Sequence, residues 1–187
     1  MKPCIIVRPE PGNHATAKAA RALGLDVVAA PLYAINKVEF NADLSLSYDA
    51  ILITSANSIR VAEAELKAMT RLPLFAVGDA SAQAARTAGF KTVIAGDGDG
   101  QALGQKAYDL GYRHVLHLVG DPHKPIKIDG LICDAHIVYR AVELPPTTEL
   151  LAALRRPCVV LAHSPRAARR LARLAGHHGE RPATRPR

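Results

Sequence analysis

Three stretches of this chain repeat one alternation of apolar and polar positions: an apolar run, a turn containing Ser or Gly, then an Ala-rich segment with polar residues at helical spacing. They read ILITSANSIRVAEAEL from Ile51, LFAVGDASAQAARTAG from Leu74 and VVLAHSPRAARRLARLAG from Val159. Short apolar runs of this kind predict strands near 4–7, 27–30, 50–53, 74–77, 92–95, 114–119, 132–138 and 158–162. Strands and helices mostly alternate, which predicts parallel sheets covered by helices. Helix ends are marked by Gly24, Gly89, Gly111 and Gly176, each placed as a left-handed C-terminal cap. Helix starts are marked by Asn13, Ser55, Ser81 and Ser164, with Pro165 at a first helical position.

In a parallel α/β sheet such turns lie at the carboxyl ends of the strands, where the free N–H groups of the next helix face a crevice. Helix starts of this type collect anions. The turns lack the Gly-x-Gly-x-x-Gly dinucleotide spacing, a phosphate loop and any ring of metal ligands. The implied ligand carries several carboxylates and is held by many backbone donors.

Two segments break the rhythm, APLYAINKVEF from Ala30 and AHIVYRAVELPP from Ala135, both extended in composition. Paired, they would form a two-stranded hinge at residues 34–39 and 139–144. One α/β domain would then join residues 1–33 to 145–187, and the other would be the continuous insert 40–138. Ligands favour the cleft between such domains.

Composition narrows the class. A chain of 187 residues, 49% hydrophobic, fits one domain or two small ones, and without Trp its core must be built from Ala, Val, Leu and Ile. Cys4, Cys133 and Cys158 form an odd, widely spaced set, read as buried reduced thiols of a cytoplasmic protein. The longest apolar run, VVAAPLYAI, is broken by Pro31, so neither a signal peptide nor a membrane span is expected. The net charge of +7 is carried by the C-terminal segment, where nine Arg from Arg155 onward face the single acid Glu180. A solvated Arg face on helix 165–175 and an unstructured tail, HHGERPATRPR, account for it better than a polyanion site.

Other chemistries find little support. His163 beside Ser164 lacks an acidic orienter for a triad, and His177 with His178 is a bare pair in a polar tail. GDGDG from Gly96 reads as a plain turn. No recognition module or stacking aromatics point to nucleic acid.

Six motifs together are similar to one family. VRPEPGNHATAKAARALG from Val7, APLYAI, TSANSIR from Thr54, AVGDASAQAARTAGF from Ala76, VYRAV from Val138 and HSPRAA from His163 resemble the uroporphyrinogen-III synthases in that family's order, over nearly the whole chain. The resemblance implies two flavodoxin-like parallel-sheet α/β domains joined by a two-stranded connector, with the active site between them. It implies hydroxymethylbilane as substrate, a linear tetrapyrrole with eight carboxylates, closed to uroporphyrinogen III with loss of water and inversion of its fourth ring. No metal or cofactor is implied, and no nucleic acid or membrane partner.

By the same resemblance, Ser55, Asn57, Gly78, Asp79, Ser81 and Ser164 fall on substrate-contacting turns, and Arg8 follows the first strand where it could meet a carboxylate. Each Ser is equally readable as a helix cap. Tyr139 matches the family's connector tyrosine, whose phenol could donate a hydrogen bond to the departing hydroxyl; packing against a domain is the competing role. Three departures from the family stand out. Val119 occupies a position where many members have arginine, with Lys124 as a substitute cation, and DPHKPIKIDGLICDA has no helical period where the family inserts a helix. The chain also stops soon after helix 165–175, so the first domain is expected to lack part of its sheet and to be a monomer prone to self-association through an open edge. A non-catalytic or impaired relative binding a tetrapyrrole or another polycarboxylate is the alternative function.

Overall fold

The computed structural model describes residues 2–40 and 47–178. It divides into two compact units, one holding the described residues up to Ile35 and from Val142 onward, the other Asn36–Ala141.

The first unit contains β1 (Cys4–Ile6), α1 (Gly12–Ala22), β2 (Val27–Ala29), the start of β3 (Tyr33–Lys37), the end of β8 (Ile132–Glu143), α6 (Thr148–Leu154), β9 (Val159–Leu161) and α7 (Pro165–His178). Its sheet has the order β2-β1-β9, with both neighbours parallel to β1. β1 is buried throughout, and Cys4 and Ile6 pack with Ala17 and Ala20 of α1. Small Ala side chains allow that close approach of helix to sheet.

In the second unit, β4 (Ala50–Ile53), α2 (Ala56–Val61), α3 (Glu63–Leu66), β5 (Leu74–Val77), α4 (Asp79–Thr87), β6 (Val93–Gly96), α5 (Gly100–Asp109) and β7 (His114–Asp121) follow in order, and most of β8 completes it. The strands are ordered β3-β8-β7-β4-β5-β6, and the run from β8 to β6 is parallel. Ile51 and Ile53 of β4 join a core with α2, α3 and α4, whereas Ala50 and Leu52 join Leu103 and Ala107 of α5. Both faces of the sheet are therefore covered, and its strands read as unbroken apolar runs for that reason.

Strand β3 meets β8 in the opposite sense: the Leu144 N–H donates to the Leu32 carbonyl, and the Val38 N–H to the Val138 carbonyl. A separate strand at 132–138 and a connector at 139–144 were expected, but β8 runs unbroken through both, because β7 and β3 supply partners along its length.

Several expected helix ends differ. Asn13 is not the cap of α1; Pro11 holds that place, and the buried Asn13 amide donates to the Ile6 and Arg8 carbonyls at 2.8 and 3.0 Å. Two carbonyls at the end of β1 outcompete the helix start for that amide, the Ile6 oxygen accepting the Ala30 N–H as well. Ser81 also lies inside its helix. The turn after β5 needs a positive φ, met by Gly78 at +72°, so α4 starts at Asp79 and buries Ser81 in its first turn. Gly176 sits within α7, which continues to His178, while Gly24, Gly89 and Gly111 adopt positive φ just beyond their helices. Cys4 is buried, but Cys133 and Cys158 are only half-buried; all three are free. The tail beyond His178 lies outside the described residues.

Candidate functional site

Strand order decides where a site can form. In the second unit β4, β5 and β6 advance in one direction, and β7 returns to the other side of β4. The crossovers on either side of that reversal leave the sheet on opposite faces, which opens a crevice beyond the carboxyl ends of β4 and β7. A cavity of about 420 Å³ lies there. Thr54, Val77 and Gly120 line it from the strand ends, Gly98–Gln101 from the start of α5, and Pro122–Ile126 from the loop after β7.

His117 forms part of its wall. Alternation along β7 places Leu116 and Leu118 in the core beneath α2 and α4, and turns Val115 and His117 to the side of α5. The side chain is 2% exposed, yet neither ring nitrogen has a protein partner among the described residues. Burial first, and the neighbouring His123 second, hold its pKa down to about 4. Its ring stands edge-on to that of His123 at 6.5 Å. At neutral pH this is an uncharged imidazole with one N–H and one lone pair on offer.

Tyr139 lines the same cavity. Register shifts between Val119 and Gly120, so that Val119 pairs with Ile137 but Gly120 with Tyr139. That bulge sets the phenol over the Gly120 backbone, where a Cβ would stand 2.3 Å from Tyr139 Cζ and 2.7 Å from its oxygen. Any side chain there would have to push the Tyr139 ring aside.

Of the residues given a role from sequence, Tyr139 and Lys124, the substitute cation, are among those lining the cavity. Ser55 caps α2, accepting the Asn57 N–H at 3.2 Å, and the Asn57 carbonyl oxygen accepts from Arg60 at 3.1 Å. Gly78 and the exposed Asp79 begin α4 one strand further on. These turns follow the adjacent strands β4 and β5, so the structure brings them side by side.

The first unit reverses its strand order at β1, between β2 and β9. Arg8 follows β1 and Ser164 follows β9, so both lie at the carboxyl ends beside that reversal. Arg8 donates to Thr16 Oγ1 at 3.3 Å, and Ser164 caps α7 by accepting the Ala167 N–H at 3.2 Å. Partial burial, with the Arg8 charge second, lowers the pKa of His163.

Sequence reasoning missed His117, His123 and the start of α5. The signal for His117 was present: a single histidine inside the apolar run VLHLV. Among the described residues no cluster of three metal-ligating side chains occurs, and no helix is long and apolar enough to cross a membrane.

Strand reversals within sheets of mainly parallel strands define the chain as an α/β protein of the parallel-sheet class. The particular family follows from a family model described as Uroporphyrinogen-III synthase HemD, which matches residues 14–186: the chain belongs to the uroporphyrinogen-III synthase family. Two solved structures of uroporphyrinogen III synthase from the extremely thermophilic bacterium Thermus thermophilus are similar to it. A mutant form gives a TM-score of 0.47 at 19% identity over 83% of this chain and 66% of its own. The wild type gives 0.42 at 19% identity, over 94% of this chain and 89% of its own. No curated protein matches.

Proposed function

We propose that this chain closes hydroxymethylbilane to uroporphyrinogen III, releasing water and inverting the fourth ring. Family membership over residues 14–186 is the observation that carries the reading. The chemistry of the strand ends supports it. An octacarboxylate needs many donors and no redox or Lewis-acid group, and the turns at Ser55–Asn57, Gly78–Ser81 and Ser164 offer Ser hydroxyls and first-turn N–H groups, with Arg8 as a cation. The substrate also closes without a protein to the non-inverted isomer, so the protein's task is to impose one conformation, an effect worth up to ~7–11 kcal/mol in favourable cases.

Tyr139 is the proposed proton donor. Its phenolic proton passes to the hydroxyl as the C–O bond breaks and water leaves, the pyrrole nitrogen's electron pair supports the terminal carbon, and the proton released when that carbon bonds to the fourth ring returns to the phenolate. Tyr139→Phe keeps the ring and removes the donor, and closure is expected to slow about tenfold, ~1.4 kcal/mol, with little change in melting temperature. Single Ser→Ala changes at 55, 81 and 164 are expected to weaken product binding without abolishing it, since one hydrogen bond to a charged group is worth ~1.5–3 kcal/mol.

The deciding measurement is a coupled assay that generates hydroxymethylbilane in place and separates the two uroporphyrinogen isomers. Isomer III as the main product is expected. Isomer I alone, at the spontaneous rate, would overturn the reading and leave a non-catalytic polycarboxylate binder.

A further inference from the structure

We propose that the cavity beyond β4 and β7 is a subsite for one carboxylate arm of an organic polycarboxylate, recognised by His117 and Lys124. The assignment names a part of the substrate class proposed above and rests on that reading for the identity of the whole ligand.

Three observations carry it. First, His117 is buried with neither ring nitrogen paired to protein, although it lines a cavity. A buried polar group without a partner is costly, and a ligand oxygen accepting the imidazole N–H would recover that cost. An apolar ligand would leave that cost in place.

Second, the remaining lining supplies donors suited to an anion. Lys124 and His123 come from the loop after β7, and the first turn of the ten-residue helix α5 borders the space with N–H groups lacking intrahelical partners. The opposing acid is Asp99, and its Oδ1 already accepts the Ala102 N–H at 3.1 Å as the cap of α5. Gln101 is likewise engaged, donating to the Lys127 carbonyl at 2.7 Å and accepting its N–H at 3.0 Å. Lys124 and the His117 N–H are left to meet an anion.

Third, the size fits an arm and not the whole molecule. With about 30 Å³ for each water-sized unit, a cavity of about 420 Å³ holds a carboxylate arm and the ring that bears it. Four rings with eight carboxylates do not fit. Tyr139 lines the same space, so an arm seated on His117 and Lys124 would place its ring within reach of the phenol.

The test uses the full chain labelled with ¹⁵N in its imidazoles. It is titrated with sodium propionate as a single-arm probe and, under reducing conditions, with uroporphyrinogen III. The His117 ring resonances are expected to shift and saturate with both. In the closure assay Lys124→Met is expected to raise KM about tenfold with kcat within twofold, and Lys124→Arg to restore most of the loss. Lys124 is exposed, so these variants remain informative if His117→Phe fails to fold.

His117 signals that stay fixed or drift without saturation would overturn the subsite, as would an unchanged KM in Lys124→Met, even with isomer III formed normally. Conversely, saturable shifts in a chain that yields only isomer I would sustain the subsite and defeat the synthase reading.

Discussion

At the scale of single residues, His117 shows how position rewrites ordinary chemistry. Its pKa falls from 6.5 to about 4 because burial strips water from the charged form. An unfolded chain therefore binds a proton that the folded one rejects between those values, and stability is lost as pH drops through that window. The loss should reach about 3 kcal/mol by pH 4. Urea denaturation at pH 7 and pH 4.5 is expected to show a steeper fall for the wild type than for His117→Phe; parallel falls would contradict the burial argument. Gly120 makes a second case. An added methyl would meet the Tyr139 ring at 2.3–2.7 Å, so Gly120→Ala is expected to cost about 1–3 kcal/mol. Because the phenol must also move, closure should slow about as much as in Tyr139→Phe, which a merely structural role for the ring would not produce.

Among the elements, α7 is held by one side chain more than by any cap. Arg170, 8% exposed, donates Nη1 to the Leu32 carbonyl and Nη2 to the Leu144 carbonyl at 2.6 Å; its Nε lies 3.3 Å from Glu143 Oε2. The guanidinium also stands 5.1 Å from the centre of the Tyr33 ring. One planar fork thus ties α7 to the chain at both Leu32 and Leu144. Arg170→Met keeps the apolar stem, removes the side-chain donor from the Leu144 carbonyl and leaves the Leu32 carbonyl with the Leu144 N–H alone, with an expected cost of about 2–5 kcal/mol in chemical denaturation. Arg170→Lys should recover less than half, since a single ammonium cannot reproduce the two-pronged geometry. In the other unit Ser58 does a comparable job, its hydroxyl donating to the Leu118 carbonyl at 2.9 Å and pinning α2 to β7.

For the molecule as a whole, the two units differ in what their sheets bury. Strands β1, β2 and β9 are three residues each, and Val159 at the start of β9 is half exposed. In the second unit β4 is buried at every position between β5 and β7, with helices on both faces. Local opening is easier where fewer apolar contacts must break. Hydrogen exchange is accordingly expected to be slower in β4, β5 and β7 than in β1, β2 and β9. Equal protection in the two sets would show that the small sheet draws stability from elsewhere.

Local chemistry in the chain was enough to determine the order and type of most elements. Unbroken apolar runs marked strands covered on both faces, and the glycines at 24, 89 and 111 marked helix ends, because both signals act within a few residues. Family likeness was also legible, since six short motifs kept their order, and the match over residues 14–186 agrees. Tertiary structure alone decided which strand ends adjoin, and so where a crevice opens: β7 follows β6 in sequence but lies beside β4 in the sheet. The same placement turned His117 from an odd polar residue in an apolar strand into the wall of a cavity, and a one-residue bulge opposite Gly120 brought Tyr139 to the same space. Local sequence carries no signal for such contacts, because strand order is set by how distant apolar faces pack, and side-chain direction by a register that shifts only where two strands meet.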